Sequence, residues 1–390
     1  MSSGPKALEG IRVLDVTQVM AGPFCAMQLC DMGADVIKVE PPEGDSTRRM
    51  AGAAGQESAA FNAVNRGKRG IVLDLKTSQG QHALRRLLHR TDILIENYRP
   101  GVMKRFGLDY ATLMAEFPTL IYASISGYGQ TGPDASKGGF DLIAQGVSGL
   151  MSVTGQPGGP PAKVGVPITD LGAAMFALAG VLAALHHRHQ TGRGQYIETS
   201  LIEAGLAFSV WESAQYFGEG VTPGPLGSAH RMLAPYQAIR CADGYITLGA
   251  ANDRLFERLS GVLGHPEWPT LPAYASATAR VANCAPLIQE IEAITAGGSR
   301  QHWIAVLEAS SIPCGPINDY AEAFADRQVR ARDMVVPIDH PTLGRLHTPG
   351  SPLKMSETPP TVGRRAPLLG EHTRDVMREA GYTEEDIARL

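Results

Sequence analysis

An excess of charge of either sign is missing from this chain of 390 residues: 35 Lys and Arg face 39 Asp and Glu, a formal net charge of −4. Such a chain has no global field to draw in nucleic acid or an anionic membrane, so any anionic ligand must be held by local basic clusters. Long hydrophobic runs are missing too. The longest, Leu171 to Leu185, has fifteen apolar or Gly residues, short of the ~18 a spanning helix needs. With Gly172 and Gly180 inside it, it reads as a buried core helix. Cysteine is scarce. Cys25, Cys30, Cys241, Cys284 and Cys314 form an odd set without C-x-x-C or zinc-type spacing. That pattern argues against a disulfide framework and a zinc site, and for reduced thiols in a cytoplasmic protein. Cys314, in "IPCGP", reads as a small buried filler rather than a nucleophile. The opening "MSSGPKALEG" lacks the basic-then-apolar pattern of a secretory signal. No Walker-type sequence, internal repeat or low-complexity tract occurs.

What is present is a globular composition, 44% hydrophobic and 19% charged, ample for a large core. The length suggests two or three structural units. "IRVLDVT" (11–17) is a β-branched run, "GPFCAMQLCDMG" (22–33) has helical apolar spacing, and "DVIKVE" (35–40) is a second strand. Strand, helix, strand within about thirty residues is a βαβ unit with parallel pairing. The rhythm recurs through "RGIVLDLK" (69–76), "SQGQHALRRLLHRT" (78–91), "DILIENY" (92–98), "ATLMAEFP" and "LIYASISGYG". This alternation predicts an α/β doubly wound sheet. Beyond Gln195 a short strand leads into a helix, and "GVTPGPLGS" (220–228) is a Gly/Pro linker. "YQAIRCADGYITLGA" (236–250) predicts a hairpin with Asp243-Gly244 at its tip. Helices near 252–264, 284–296 and 299–310 complete a smaller α/β lobe over 226–325. The remainder holds short strands among prolines and a capping box at Thr383 and Asp386.

Asp170 is the one charge at the mouth of the apolar run, in "VPITDLGAAMFALAGVLAAL". Either it or Thr169 is expected to cap a helix start. Thr169 already offers a cap, which leaves Asp170 for other work. Its small and apolar neighbours raise its pKa, and the helix N-terminus favours the anion. A weakly hydrated carboxylate of this kind suits attack on an activated acyl carbon. "GYGQTG" (127–132) matches G-x-G-x-x-G, but Pro133 and further glycines follow instead of a helix. A loop hugging a ligand or another backbone fits better than a dinucleotide site. Basic residues cluster in "STRRM" (46–50), "NRGKRG" (65–70), "NYRPGVMKRFG" (97–107) and at Lys137. At the carboxyl ends of strands they favour a polyphosphate ligand. "HHRH" (186–189) reads as a helix end and "AHR" (229–231) as a loop able to meet an anion.

Together these motifs resemble the family III CoA-transferases, the group that includes formyl-CoA transferase, carnitine CoA-transferase and α-methylacyl-CoA racemase. The resemblance runs through "AGPFCAMQLCDMGADVIKVE", "NRGKRGIVLDLK", "ENYRPGVMKRFGL", "SISGYGQTGP", "GVPITDLGAAMFALAGVLAAL", "TGRGQ", "IPCGPIND" and "APLLGEHT", essentially the whole chain. It implies that Asp170 is the catalytic nucleophile. It puts CoA contacts at Gln18, Met20 and Ala21, at Leu73, Asp74, Leu75 and Lys76, and at Asn97, Tyr98, Arg99, Arg105 and Lys137. It implies a Rossmann-like large domain built from both termini (1–225 and 326–390), a small domain (226–325) and an interlocked homodimer. Acyl-CoA and a carboxylic acid are then substrates, with no prosthetic group, metal, nucleic acid or membrane. Racemases of the group carry His where this chain has Phe140, which cannot move a proton, so transfer is expected over racemisation. The alternatives are an acyl-CoA racemase and a non-catalytic CoA-binding protein. The long glycine run over the active site of formyl-CoA transferase has no equivalent in 218–232. "SAH" before "PYQA" resembles members that use succinyl-type groups, which makes His230 and Arg231 candidates for holding a second carboxylate.

Overall fold

The computed structural model describes residue 4 and residues 6–50 and 58–389. The chain packs as two compact units, one of Met1–Met151, Lys163–Val221 and Arg327–Leu390, the other of Ser152–Ala162 and Thr222–Asp326.

In the larger unit β1 (Arg12–Asp15), β2 (Asp35–Glu40), β3 (Arg69–Val72), β4 (Ile93–Glu96), β5 (Ile121–Ser126) and β6 (Tyr196–Ser200) form one sheet. Every pairing is parallel, in the order β3-β2-β1-β4-β5-β6. The central strands β4 and β5 are buried on every residue and largely apolar because helices cover both faces. Helices Ala21–Asp31, Ile168–Thr191 and Leu201–Ala207 share a core with one face. Ser78–Leu88 and Thr373–Glu379 pack on the other, around Leu14, Leu84 and Met377. Fully burying a side chain such as Leu14 contributes about 1.5–3 kcal/mol. The C-terminal segment closes back onto β3, where the His372 N–H donates to the Gly70 carbonyl at 2.9 Å. The expected capping box is present: the Thr383 hydroxyl accepts the Asp386 N–H at 3.2 Å. The order reverses between β1 and β4, so the loops leaving these strands diverge and open a crevice at their carboxyl ends.

The smaller unit carries β7 (Tyr236–Cys241), β8 (Gly244–Gly249) and β9 (Cys314–Pro316), antiparallel in that order. Helices Asp253–Val262, Cys284–Thr295 and Arg300–Ala309 cover it around Ile246, Phe256 and Trp303. Cys241 pairs with Gly244, so the hairpin tip is Ala242-Asp243, one residue earlier than the sequence predicts. The Asp243 carboxylate is engaged by the Arg300 N–H at 2.7 Å. A second hairpin, β10 (Val335–His340) with β11 (Gly344–Pro349), belongs to the larger unit.

Three further expectations are corrected. β3 and β4 end at Val72 and Glu96, short of Lys76 and Tyr98; just beyond them Asp74 accepts the Lys76 N–H at 2.9 Å, and Glu96 the Tyr98 N–H at 2.8 Å. The helix after β6 is two, Leu201–Ala207 and Val210–Glu219, broken where the Ser209 hydroxyl donates to the Leu206 carbonyl. The apolar run belongs to a helix of 24 residues whose most apolar 18-residue stretch has a mean hydropathy of 1.9, long and apolar enough to cross a membrane. Only one face is buried: Ala173, Ala174, Ala177, Val181 and Ala184 meet the core, while Met175 and Phe176 are exposed.

Candidate active site

The loop leaving β1 is fixed by buried charge. The Thr17 N–H donates to Asp15 Oδ1 at 3.0 Å, and its hydroxyl to the same oxygen. Asp15 pairs with Lys68 at 2.7 Å, both fully buried, and Lys68 also donates to the Pro23 carbonyl and Asn65. Lys38 donates to the Thr17 carbonyl at 2.8 Å and pairs with Asp45 at 3.1 Å. Burial alone would raise Asp15 and Asp45, but the lysine charges beside them hold both carboxyls below the usual range. Val19 sits at the tip with φ +69°. The loop leaving β4 grips it from the side. Asn97 Oδ1 accepts the Gln18 N–H at 2.8 Å and Asn97 Nδ2 donates to the Gln18 carbonyl at 2.7 Å. Glu96 beneath it is pushed up to about 7 by burial.

The loop after β5 presses on the segment 137–140 backbone to backbone. A Cβ on Gly127 would lie 2.5 Å from the Gly139 Cα, and one on Gly138 would lie 2.8 Å from Arg99 Nη2. The glycines of this region thus serve a backbone crossing and leave no helix-opening phosphate loop. Phe140 follows with its ring exposed, and Asp141 begins the helix Asp141–Val147.

Asp170 lies in the first turn of the Ile168–Thr191 helix, whose N-cap is Pro167 with no side-chain cap. The capping expected of Thr169 or Asp170 comes instead from another helix. Asp141 Oδ1 accepts the Thr169 N–H at 3.0 Å and the Thr169 hydroxyl at 2.8 Å. Asp141 is held in turn by Gln145 Nε2 at 2.7 Å, and Gln145 Oε1 accepts the Val164 N–H. Among the described residues no donor reaches the Asp170 carboxylate. Burial, then the Asp141 charge, push it up to about 7. The carboxyl is therefore close to half-ionised near neutrality, the burial outweighing the pull of the helix N-terminus.

These elements enclose a cleft of ≈ 310 Å³ at the switch point of the sheet. Of the residues singled out from sequence, Gln18, Met20, Ala21, Asn97, Tyr98, Arg99, Lys137, Phe140 and Asp170 line it. Leu73, Asp74, Leu75 and Lys76 line an adjoining cleft of ≈ 130 Å³, and Gln18 and Tyr98 border both. Arg105 is exposed and lines neither. His230 and Arg231 belong to the smaller unit. There His230 Nδ1 accepts the Met232 N–H at 3.0 Å and Arg231 Nη2 donates to the Gly224 carbonyl at 2.8 Å. Cys314 is half-buried, and burial raises its thiol, as suits a filler. Sequence reasoning missed Val19, Asp45 and the role of Asp141. The only signal for Asp141 was an acid opening a helix; a left-handed valine gives none.

A model of CoA-transferase family III matches residues 8–373. The chain belongs to that family. It is 40% identical to the succinate–glutarate CoA-transferase of Agrobacterium fabrum over 95% of both chains. It is 41% identical to the succinyl-CoA:mesaconate CoA-transferase of Haloarcula hispanica over 96% of both. A solved structure, a CaiB/BaiF family protein from Brucella suis, superposes with a TM-score of 0.85 at 37% identity, covering 96% of this chain and 99% of that one. The chain is thus a family III CoA-transferase, and the mixed α/β architecture with its parallel sheet is the one its structural relatives share.

Proposed function

We propose that this CoA-transferase moves CoA from an acyl-CoA thioester to a free dicarboxylic acid by way of an aspartyl-CoA thioester on Asp170. The observation that carries it is a carboxylate at a helix N-terminus, without a hydrogen-bond donor among the described residues, in the cleft that Gln18, Asn97, Arg99 and Lys137 also line. An Asp170 oxygen attacks the donor thioester carbonyl; the C–S bond breaks and CoA thiolate leaves a mixed anhydride. The thiolate attacks the Asp170 carbonyl, releasing the donor acid and forming the aspartyl thioester. The acceptor carboxylate attacks that thioester, thiolate leaves again, and its attack on the acceptor's acyl carbonyl gives the new acyl-CoA and free Asp170. Each bond broken to sulfur is re-formed to sulfur, so no redox partner enters.

Held at about 7, the carboxyl ionises readily enough to attack, yet is desolvated enough to be reactive. Backbone N–H groups of the loop after β5 stand to stabilise the oxyanions. Binding of the ADP end keeps the thiol in place between steps. For that end we assign Leu73 to Lys76 in the adjoining cleft, with Arg99, Arg105 and Lys137. The dicarboxylate class rests on the names of the relatives, with His230 and Arg231 as holders of the distal carboxylate. Phe140 at the cleft wall disfavours racemisation, since a phenyl ring carries no proton.

We read the large domain (1–225 and 326–390) as Rossmann-like, on the strand order, with 226–325 as the small domain. The interlocked homodimer finds support in the exposed apolar groups of the larger unit, Leu142, Val147, Phe176, Trp211 and Phe217 among them. The unpaired thiols favour the cytoplasm. The test is mass spectrometry of protein incubated with succinyl-CoA and trapped with hydroxylamine or borohydride. Modification at Asp170 is expected; turnover without it overturns the mechanism.

A further inference from the structure

Val19 is a β-branched residue with φ +69°, a conformation that L residues avoid because Cβ crowds the following carbonyl. The bias against that conformer is roughly 5–30-fold. Something must hold it, and three attachments do. Asn97 takes both the N–H and the carbonyl of the preceding residue, Gln18, at 2.8 and 2.7 Å. The Val19 N–H faces both oxygens of Asp45 at 3.3 and 3.4 Å. Asp45 is immobile: fully buried, paired with Lys38 and accepting the Thr47 N–H and hydroxyl at 2.9 and 2.8 Å. On the far side Gly22 lies so close to Thr17 that a Cβ there would sit 2.3 Å from its side chain. The turn is gripped at each step, and Gln18, Val19, Met20 and Ala21 all line the cleft of Asp170.

We propose that Val19 is a positioning residue: its left-handed backbone, enforced by the Asn97 clamp and the Asp45 brace, presets the wall of the cleft that the Asp170 intermediates occupy. Strain kept at a site by its surroundings is a means of preorganisation. The transfer chemistry proposed above is assumed. Asn97 then acts mainly through the peptide it holds, and its loss lets Val19 relax to negative φ.

The test is a double-mutant cycle of Asn97→Ala and Val19→Gly, read as kcat and KM for CoA transfer from succinyl-CoA to glutarate, with CoA binding measured by calorimetry. Glycine adopts φ +69° without strain, so it keeps the turn in place when the clamp is gone. Asn97→Ala is expected to lower kcat on the order of 10-fold, with donor KM and CoA affinity changed less than about 3-fold. Val19→Gly in that background is expected to restore a large part of the loss, while Val19→Gly alone controls for the missing side chain. Should Asn97→Ala fail to fold, Asn97→Asp keeps the acceptor for the Gln18 N–H but sets a carboxylate oxygen against the Gln18 carbonyl, so a loss at least as large with the same rescue is expected. A double variant no faster than the Asn97 variant, or a loss confined to KM and CoA affinity, overturns the clamp and makes Asn97 a ligand contact. A wild-type protein that transfers no CoA overturns the functional reading instead, so the two failures are distinct.

Discussion

Asp141 and Thr169 are joined twice through one oxygen: Asp141 Oδ1 accepts the Thr169 N–H at 3.0 Å and its hydroxyl at 2.8 Å. A carboxylate from one helix thereby caps the helix that bears Asp170. Two consequences follow for Asp170. Asp170 is released from capping, and it acquires a like charge as neighbour.

Asp141→Asn separates these two roles. The amide oxygen still accepts from Thr169, while the amide nitrogen can no longer accept from Gln145 Nε2, so the helix start survives at a cost of about 1–3 kcal/mol. The negative charge that helps to raise Asp170 disappears. The acid limb of kcat/KM, expected near pH 7 in the wild type, should move to lower pH. A pH–rate profile of the two proteins checks it; an unmoved limb would show that Asp141 does not tune Asp170.

Asp170→Asn trades function for stability. Folding raises this carboxyl to about 7 from an ordinary value of 3.8, so the fold favours the protonated form. The stability this confers on the acid side is lost as pH rises through about 7. Asn cannot ionise, so the variant should exceed the wild type by up to about 4 kcal/mol at alkaline pH and converge with it below about pH 4. CoA transfer should fall at least about 10⁴-fold. Urea unfolding at the two pH extremes decides it: an equal difference at both would remove the desolvated anion from the account.

The parallel sheet was legible because strands buried on both faces must be written as apolar runs, as in "DILIE" and "LIYAS". Asp170 was legible because a lone charge before fifteen apolar residues has no other company. Element ends were less so. Just past β3 and β4, Asp74 and Glu96 capture the Lys76 and Tyr98 N–H groups, and that competition between side chain and backbone leaves no periodic trace. Least legible was Asp141, 29 residues before Asp170 in the sequence, since a cap supplied by another segment exists only once the chain has folded. Val19 shares that fate: nothing in valine announces φ +69°.

The proposed role of His230 and Arg231 is open to a kinetic test. If they hold the distal carboxylate, Arg231→Met should raise KM for glutarate or mesaconate on the order of 10-fold, since a charge-assisted hydrogen bond is lost. KM for a monocarboxylate of similar length should stay unchanged. Steady-state kinetics over a panel of acids measures this. Equal effects on both classes would return the pair to a loop held by the Gly224 carbonyl and the Met232 N–H.

Gly127→Ala tests the backbone crossing beneath the site. Its Cβ would lie 2.5 Å from the Gly139 Cα and 2.9 Å from the Gly139 nitrogen. Both are main-chain atoms, which no rotamer change can move aside. Either the loop after β5 or the segment 137–140 must shift. That segment leads into Phe140 and Asp141, so the displacement reaches the cap on Thr169 and the cleft wall together. Overpacking of this kind costs about 1–3 kcal/mol. A displacement of order 1 Å at positioned groups costs on the order of 10²-fold in rate. Activity should therefore fall much further than stability, visible as a modest drop in Tm beside a large loss of kcat. Gly132→Ala is the contrast. It has the same glycine-rich loop around it and nothing within 4 Å of its Cβ position, but its φ of +92° strains an alanine. It should lower Tm comparably through backbone strain while leaving kcat within about 3-fold. If the two variants lose activity alike, close approach of Gly127 to Gly139 is not what builds the site.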